Sequence, residues 1–110
     1  IAWRIDIGDC SITFSGDTSA VSDNLTRLTN RSDLLIAHNA IPQQASGVAR
    51  RLHMPPSRIG EIAAAAGVGQ LVLSHRMLRT LETKEDTLEQ IRQRYSGPVS
   101  FANDLDRYQP

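Results

Sequence analysis

The sequence has little of several things that commonly identify a class of protein. It carries no net charge, because 12 basic residues balance 12 acidic ones, and only 5% of its residues are aromatic. A generally basic, aromatic-rich nucleic-acid-binding surface is therefore not expected. Cys10 is the only cysteine, which excludes an internal disulfide framework and a cysteine-based zinc cluster. No apolar run reaches the length of a membrane span, and we expect a cytoplasmic protein.

What is present suits a small globular unit. The 110 residues are 40% hydrophobic and 22% charged, the composition of one small domain or of a piece of a larger one. The chain begins Ile-Ala-Trp, without a methionine and directly inside a strand pattern. We therefore expect residues 1–110 to be a fragment that lacks an N-terminal part.

Strand and helix patterns alternate along the chain. Alternating or continuous apolar runs predict strands at 2–8, 11–16, 33–37, 70–75 and 98–102. Helical spacing predicts helices at 18–30, 55–67 and 84–95, while 41–54 is expected to be a loop with room for a helical turn. The first helix would turn Val21, Leu25 and Leu28 inward. This alternation predicts an α/β fold with some parallel pairing.

Four side chains that bind metals or transfer protons fall at the ends of these elements. Asp17 follows "FSG", His38 follows "LLIA" and His75 follows "LVLS", while His53 comes just before the helix that starts at Pro55. Ligands of open α/β sheets bind outside the carboxyl ends of the strands, so Asp17 and His75 could reach one site. Imidazole and carboxylate are ligands of zinc and similar cations, and a carboxylate can bridge two of them.

Each of these residues also has an ordinary structural interpretation. An aspartate in Ser-Gly-Asp-Thr commonly organises a turn or a cap. His75 could be a partly buried histidine with satisfied neighbours, His53 could be loop surface, and His38 could be either. Two ligands do not make a zinc site, which usually has three or four from the protein. Residue types alone therefore leave the metal role of Asp17 open.

Two long stretches narrow these alternatives. "FSGDTSAVSDNLTRLTNRSDLLIAHNA" followed by "LHMPPSRIGEIAAAAGVGQLVLSH" resembles the C-terminal half of the metallo-β-lactamase superfamily, most closely its tRNase Z and arylsulfatase-like members. The resemblance covers nearly the whole chain. It implies an α/β fold that is the C-terminal half of an αββα sandwich, with a mixed sheet and helices on one of its faces.

The resemblance also implies roles for single residues. Asp17 matches the carboxylate that bridges two metal ions, for which the resemblance implies zinc, and His75 matches the last histidine ligand. His53 matches a histidine that donates a proton or steadies the scissile phosphate. Arg76, beside His75, is a candidate contact for an anionic substrate, although a surface role fits it better.

The sequence departs from the family pattern in two places. The His-x-His-x-Asp-His motif, which supplies most metal ligands, is absent and would lie before Ile1. A glutamate of the tRNase Z pattern orients the active-site histidine, and here His38 stands at about that place, as a possible second-sphere residue. A carboxylate relay and a tRNA-processing activity are therefore in doubt.

The resemblance predicts a fragment of a metal-dependent hydrolase that acts on an ester or phosphodiester through a dinuclear site. We expect this chain alone to be inactive, since it brings too few ligands. Its bare sheet face should pair with the missing N-terminal half or with a second copy. The alternative is a degenerate, non-catalytic module that associates through that face. An RNA-binding module finds little support, because no basic stripe or aromatic stacking motif is present.

Overall fold

A computed structural model describes residues 1–110, which form one mixed sheet and five helices. The strands are β1 (Trp3–Ile7), β2 (Cys10–Phe14), β3 (Leu34–His38), β4 (Gln70–Ser74) and β5 (Val99–Phe101). The helices are α1 (Asn24–Leu28), α2 (Gly47–Leu52), α3 (Pro56–Ala66), α4 (Leu78–Leu81) and α5 (Lys84–Arg92). All five predicted strands are confirmed. No helix is long and apolar enough to cross a membrane.

The strands lie in the sheet in their chain order, β1-β2-β3-β4-β5. β1 and β2 form an antiparallel hairpin, and every later pair is parallel. Parallel neighbours need crossover connections, which the helices provide. Because β2, β3 and β4 run the same way, their carboxyl ends meet at one edge of the sheet.

One face of the sheet is covered by α1, α3 and α5. Leu35 and Leu73 point toward Ile59, Ile62 and other buried residues in a single core cluster. The predicted helix at 55–67 is confirmed: it starts at the prolines and ends at Gly67, whose φ of 64° caps it in the left-handed conformation. Apolar burial on this face fixes the sheet against its helices.

The opposite face is bare only over the β1–β2 hairpin. Trp3, Ile5 and Ile7 are 66%, 45% and 69% exposed, and Phe14 lies beside them. The central strand is buried on both faces, since Leu34 and Leu35 point to opposite sides and both are buried. The exposed apolar surface is therefore confined to one end of the sheet.

A polar network closes the amino ends of β2 and β3. The Asp33 carboxylate accepts hydrogen bonds from the backbone N–H of Ser11 (2.7 Å) and from its hydroxyl (2.8 Å). In return, the Asp33 N–H donates to the Ser11 hydroxyl oxygen. Arg4 reaches the same end and donates to the Asn30 carbonyl and the Ser32 hydroxyl. Every hydrogen bond of this Asp33 network is formed with another group of the same chain.

The prediction of a helix over 18–30 is wrong for its first half. Only 24–28 is helical, and Val21, expected in the core, is 89% exposed. Ala20 instead adopts a φ of 46°, and its carbonyl accepts a hydrogen bond from the Arg58 guanidinium of α3. This tertiary contact holds the segment before α1 out of the helix. The structure also adds α2 within the 41–54 loop and the unpredicted α4.

Candidate metal centre

The segment after β2 aims Asp17 across the carboxyl edge of the sheet. Gly16 has a φ of 57°, and a Cβ there would collide with the carbonyl oxygen of Ile1. Only glycine accommodates both the left-handed backbone and the close approach. Ser15 anchors the segment, because its N–H donates to the Ile36 carbonyl and its hydroxyl accepts from the His38 N–H. Gly16 therefore permits the turn that leads into Asp17.

His38 and His75 come from the ends of the two neighbouring strands. His38 is the last residue of β3, and His75 follows β4 with a φ of 50°, which is unusual for a residue other than glycine. The N–H of Asn39 donates to the Ser74 carbonyl, which keeps the two strand ends side by side. The two imidazole rings are stacked, with centroids 4.7 Å apart.

His53 reaches the same place from the helical side. It caps the C-terminus of α2 in an extended conformation, just before the prolines that start α3. Its side chain is mostly buried, and its Nδ1 has no hydrogen-bond partner. An unpaired buried nitrogen is costly in a folded protein and often marks a functional atom.

All three histidines converge on one oxygen of Asp17. The distances to Asp17 Oδ1 are 3.0 Å from His38 Nδ1, 3.4 Å from His53 Nδ1 and 3.9 Å from His75 Nε2. The hydrogen bond to His38 holds the pKa of the Asp17 carboxyl below its usual range, and the charges of His38, His75 and His53 add to the effect. The carboxylate is thus kept ionised among imidazoles.

This group of donors suits a divalent transition metal ion. The ligand atoms of Asp17, His38 and His75 all lie within 4.8 Å of one another. One carboxylate oxygen and imidazole nitrogens are the ligands that zinc and its neighbours in the periodic table prefer. The side chains of Asp17, His38 and His75 are 53%, 28% and 45% exposed, so a small ligand could enter. The residues present therefore fit a metal ion.

Arg76 lies next to this group but its guanidinium is engaged elsewhere. It stacks on the ring of Phe101, with Cζ 4.5 Å from the ring centroid, and its Nε is buried without a partner. The structure places it at the border of the site rather than among the converging histidines.

Sequence analysis missed the part played by Ser15. Its hydroxyl connects the Asp17 segment to the backbone of His38, which ties two site residues together. The signal in the sequence was a small polar residue directly before Gly16, at the end of a strand. His38, expected as a possible second-sphere residue, contacts Asp17, with its Nδ1 3.0 Å from Asp17 Oδ1.

The largest groove of the surface lies away from these residues, between α1 and α3, with a volume of about 890 Å³. Four of its charged side chains pair with one another: Arg58 with Asp23 and Glu61, and Arg94 with Glu61. Arg27 also lines this groove and is in no ion pair. The chemistry of the molecule is concentrated at the strand ends.

A protein-family model described as the beta-lactamase superfamily domain matches residues 1–76. A relative named ribonuclease Z, from Thermobifida fusca (strain YX), is 32% identical over 112 aligned residues, which are 94% of this chain and 35% of that protein. The residues of this chain that the family model matches include Asp17, His38, His53 and His75.

Two solved structures share the fold. The metallo-beta-lactamase fold protein YhfI from Bacillus subtilis superposes with a TM-score of 0.81 and 26% identity, over 93% of this chain and 41% of that one. Human tRNase Z, short form, superposes with a TM-score of 0.70 and 22% identity, over 96% of this chain and 35% of that one. The chain thus spans a third to two fifths of the length of these proteins.

Proposed function

This chain belongs to the metallo-β-lactamase superfamily, and on that basis we propose that it is part of a metal-dependent hydrolase. We propose further that it is the C-terminal part of that hydrolase, because residues 14–40 and 52–75 resemble the C-terminal half of the superfamily and the chain spans only 35% of the ribonuclease Z relative. The observation that carries the proposal is the convergence of three imidazoles on Asp17 Oδ1 at the carboxyl ends of parallel strands. Open α/β sheets bind their ligands at this edge.

Asp17 and His75 would hold the metal in this proposal. When bound, a divalent cation supplies an activated water and polarises the oxygen of the scissile bond. We propose two zinc ions for the complete site, and Asp17 would be one of the residues that hold them. The low pKa of Asp17 keeps this side chain in its ligand form, the carboxylate.

His53 is the proposed proton donor. Its imidazole is mostly buried, and its Nδ1 lies 3.4 Å from Asp17 Oδ1 without forming a hydrogen bond. A histidine in this place can give a proton to the leaving oxygen and then regain it from solvent. Because α2 and the prolines of α3 fix its backbone on both sides, its ring is held beside the carboxylate.

We propose a phosphodiester as the substrate, and among phosphodiesters RNA, because the Thermobifida fusca relative is named ribonuclease Z. Carboxylic and sulfate esters are the alternative substrates for the same site. Arg76 is the proposed contact for the anionic part of the substrate, since it lies next to His75 and forms no ion pair within the chain. A guanidinium suits phosphate oxygens better than other cationic side chains do.

The test uses the longest natural protein that contains this chain. We expect hydrolysis of bis(p-nitrophenyl) phosphate and of an RNA oligonucleotide, loss of both on chelation, and recovery with zinc. H53Q should lower turnover while the protein keeps its metal, whereas H75Q should lose both turnover and bound metal. Asp9→Asn, in the exposed hairpin turn, is the matched control for these changes. A protein that hydrolyses these substrates equally well without metal would contradict the proposal.

We also propose that the β1–β2 hairpin face is an interface. Trp3, Ile5 and Ile7 form a continuous exposed apolar strip, the kind of surface that marks a contact. Its occupant would be the rest of the family fold, since this chain covers only 41% of YhfI. On this view the chain alone is inactive and associates with itself in solution.

The second candidate function is a non-catalytic module that uses the same hairpin face. The exposure of Trp3 and its neighbours favours it independently of the metal centre. Two measurements distinguish the candidates. W3S should abolish self-association of the chain under either candidate function. Only a hydrolase should also bind zinc and turn over substrate in the longer protein.

A further inference from the structure

The carboxyl edge of the sheet continues beyond His75 to β5, the last strand. β5 pairs in parallel with β4, with Phe101 beside Leu73, and the N–H of Ala102 donates to the Leu73 carbonyl. A hollow of about 630 Å³ lies here, and His75 and Arg76 are among the residues that line it. The end of β5 is therefore contiguous with the histidine group, and a substrate that extends past His75 would reach it.

Two cationic side chains meet on the ring of Phe101. The guanidinium carbon of Arg76, the residue after His75, lies 4.5 Å from the ring centroid. Nζ of Lys84, the first residue of α5, lies 4.9 Å from the same centroid. Both distances are within the roughly 6 Å at which an aromatic ring attracts a cation. The half-buried ring thus holds together two positive charges that come from different elements of the chain.

Neither of these cations has a negative partner in the chain. Arg76 and Lys84 take part in none of its ion pairs. Nε of Arg76 is buried and lacks a hydrogen-bond partner, which is costly in a folded protein, while Lys84 is exposed. Because both charges lie close to one ring, they are no more than about 10 Å apart, the Debye length at 0.1 M salt. An anion bound between them would relieve their repulsion.

The carboxylates nearby leave this pair of charges unneutralised. Asp104 lines the same hollow, and Glu85 and Asp86 are in the first turn of α5. None of the three forms an ion pair with Arg76 or Lys84. The N-terminus of a helix also favours carboxylates over cations. The charge of Lys84 therefore does not serve the stability of α5.

We propose that Arg76 and Lys84, held on the ring of Phe101, bind a second phosphate of an RNA strand, beside the phosphate that reacts at Asp17 and His75. The inference rests on the proposed function in taking RNA as the substrate. It adds two binding residues and a specificity, because such a site favours a chain of phosphates over an isolated phosphodiester. A guanidinium stacked on a ring keeps the N–H groups at its edge free for phosphate oxygens, and an ammonium adds a point charge.

The experiment measures how salt weakens the binding of a labelled RNA oligonucleotide to the longest natural protein that contains this chain. Fluorescence anisotropy is recorded with a chelator present, so that the RNA stays intact. Each phosphate contact with a single strand contributes about 0.7 to the slope of log K against log salt. Lys84→Gln and Arg76→Gln should therefore each reduce the slope by about 0.7, and the double variant should reduce it by about 1.4.

The matched control is Arg92→Gln. It removes one exposed positive charge from the same helix, about 12 Å along α5 from Lys84, and should keep the wild-type slope. Circular dichroism checks that each variant is folded. If R92Q reduced the slope as much as K84Q does, binding would be a general attraction of charge and the inference would be overturned.

A second measurement compares two substrates of the metal-loaded protein. K84Q should raise KM for the RNA oligonucleotide roughly two- to fivefold more than KM for bis(p-nitrophenyl) phosphate, as one exposed charge contact would. The small substrate has a single phosphate and occupies only the reacting centre. Phe101→Leu, which keeps apolar volume but loses the aromatic face, should change the two KM values in the same direction. Equal changes for both substrates would overturn the inference, since the cations would then act on the reacting phosphate.

The remaining outcomes distinguish this inference from the proposed function. If the protein hydrolyses RNA but K84Q and R76Q keep the wild-type slope, no second phosphate is bound and the hydrolase proposal stands. If K84Q and R76Q reduce the slope but the protein hydrolyses neither substrate, the phosphate site stands and the hydrolase proposal fails.

Discussion

The two ends of β2 and β3 each carry one aspartate, and the two aspartates are surrounded in opposite ways. Asp33, at the amino ends, receives hydrogen bonds from the N–H and hydroxyl of Ser11, groups that do not change charge. Asp17, at the carboxyl ends, is surrounded by three imidazoles and is 53% exposed. The fold satisfies the first carboxylate by itself, whereas the second has donors that can also bind a metal ion. The contrast separates a carboxylate that stabilises the fold from one that we propose as a metal ligand.

The largest expected effect is at Asp17. Asp17→Asn should weaken zinc binding by more than about a hundredfold, since loss of a direct ligand exceeds loss of an outer partner. Metal-free stability should change by no more than about 0.5 kcal/mol, because the side chain is exposed and bonds to no backbone group. Chelator competition and urea unfolding measure the two quantities. Asp9→Asn is the control, and a D17N protein that retained its zinc would remove the distinction between the two aspartates.

Gly16→Ala tests whether backbone geometry places Asp17. A non-glycine residue in the left-handed region costs roughly 1–3 kcal/mol, and here the new methyl also meets the Ile1 carbonyl. We expect both a lower midpoint of unfolding and weaker zinc binding. Gly8→Ala is the matched control, because Gly8 has a φ of 58° with open space around it. Equal zinc affinity in the two variants would mean that Gly16 does not position the carboxylate.

Ser11→Ala probes the other end of the strands. The change removes the hydroxyl that donates to the Asp33 carboxylate and accepts from the Asp33 N–H. Leaving such groups unpaired costs roughly 1–3 kcal/mol of unfolding free energy. Zinc affinity should remain at the wild-type value. Ser96→Ala, at an exposed serine, controls for loss of a hydroxyl. A loss of zinc affinity in S11A would show that the two ends are coupled.

The loss of stability at low pH should depend in part on the protonation of Asp33. Hydrogen bonds from Ser11 lower the pKa of Asp33 below its ordinary value of 3.8. The resulting stabilisation is present above that value and is lost as the pH falls through the lower pKa of the folded state, where the unfolded chain binds more protons. Stability measured by urea unfolding should therefore fall less steeply with acid in S11A than in wild type. Parallel acid limbs in the two proteins would contradict this assignment.

The smallest effect is expected at Val21. Val21→Ser should change the unfolding free energy by no more than about 0.5 kcal/mol, because the side chain is exposed in the segment before α1. Leu25→Ala, in the same predicted helix but buried, should cost roughly 2–5 kcal/mol. Thermal unfolding of the pair tests the corrected helix. Similar losses in both would restore the longer helix predicted from the sequence.

Much of the fold follows from local patterns. The five strands and α3 are visible in the sequence because apolar periodicity, the prolines at 55–56 and Gly67 all agree. The helix prediction fails for the segment from Thr18 to Ser22, because the conformation of this segment depends on Arg58. Arg58 is far away in the chain and donates a hydrogen bond to the Ala20 carbonyl. No local propensity encodes that contact.

The candidate site was predictable to a similar degree. Strand ends place Asp17 and His75 at one edge, and the sequence could show this. The central position of His38 depends on the order of the strands, which a single sequence does not give. The approach of His53 depends in the same way on how α2 packs. The functional roles of these four residues stay predictions.

The chain order of the strands also bears on how the molecule assembles. Each strand pairs with the strand that precedes it in the chain. Every parallel pair is therefore joined by one crossover connection, and no strand pairs with one that is made later than its next neighbour. Loop-closure entropy is then paid one crossover at a time. A chain emerging from the ribosome can add strands one at a time. His75, on the far side of β4, arrives last among the four, so metal capture would follow folding of the sheet instead of guiding it.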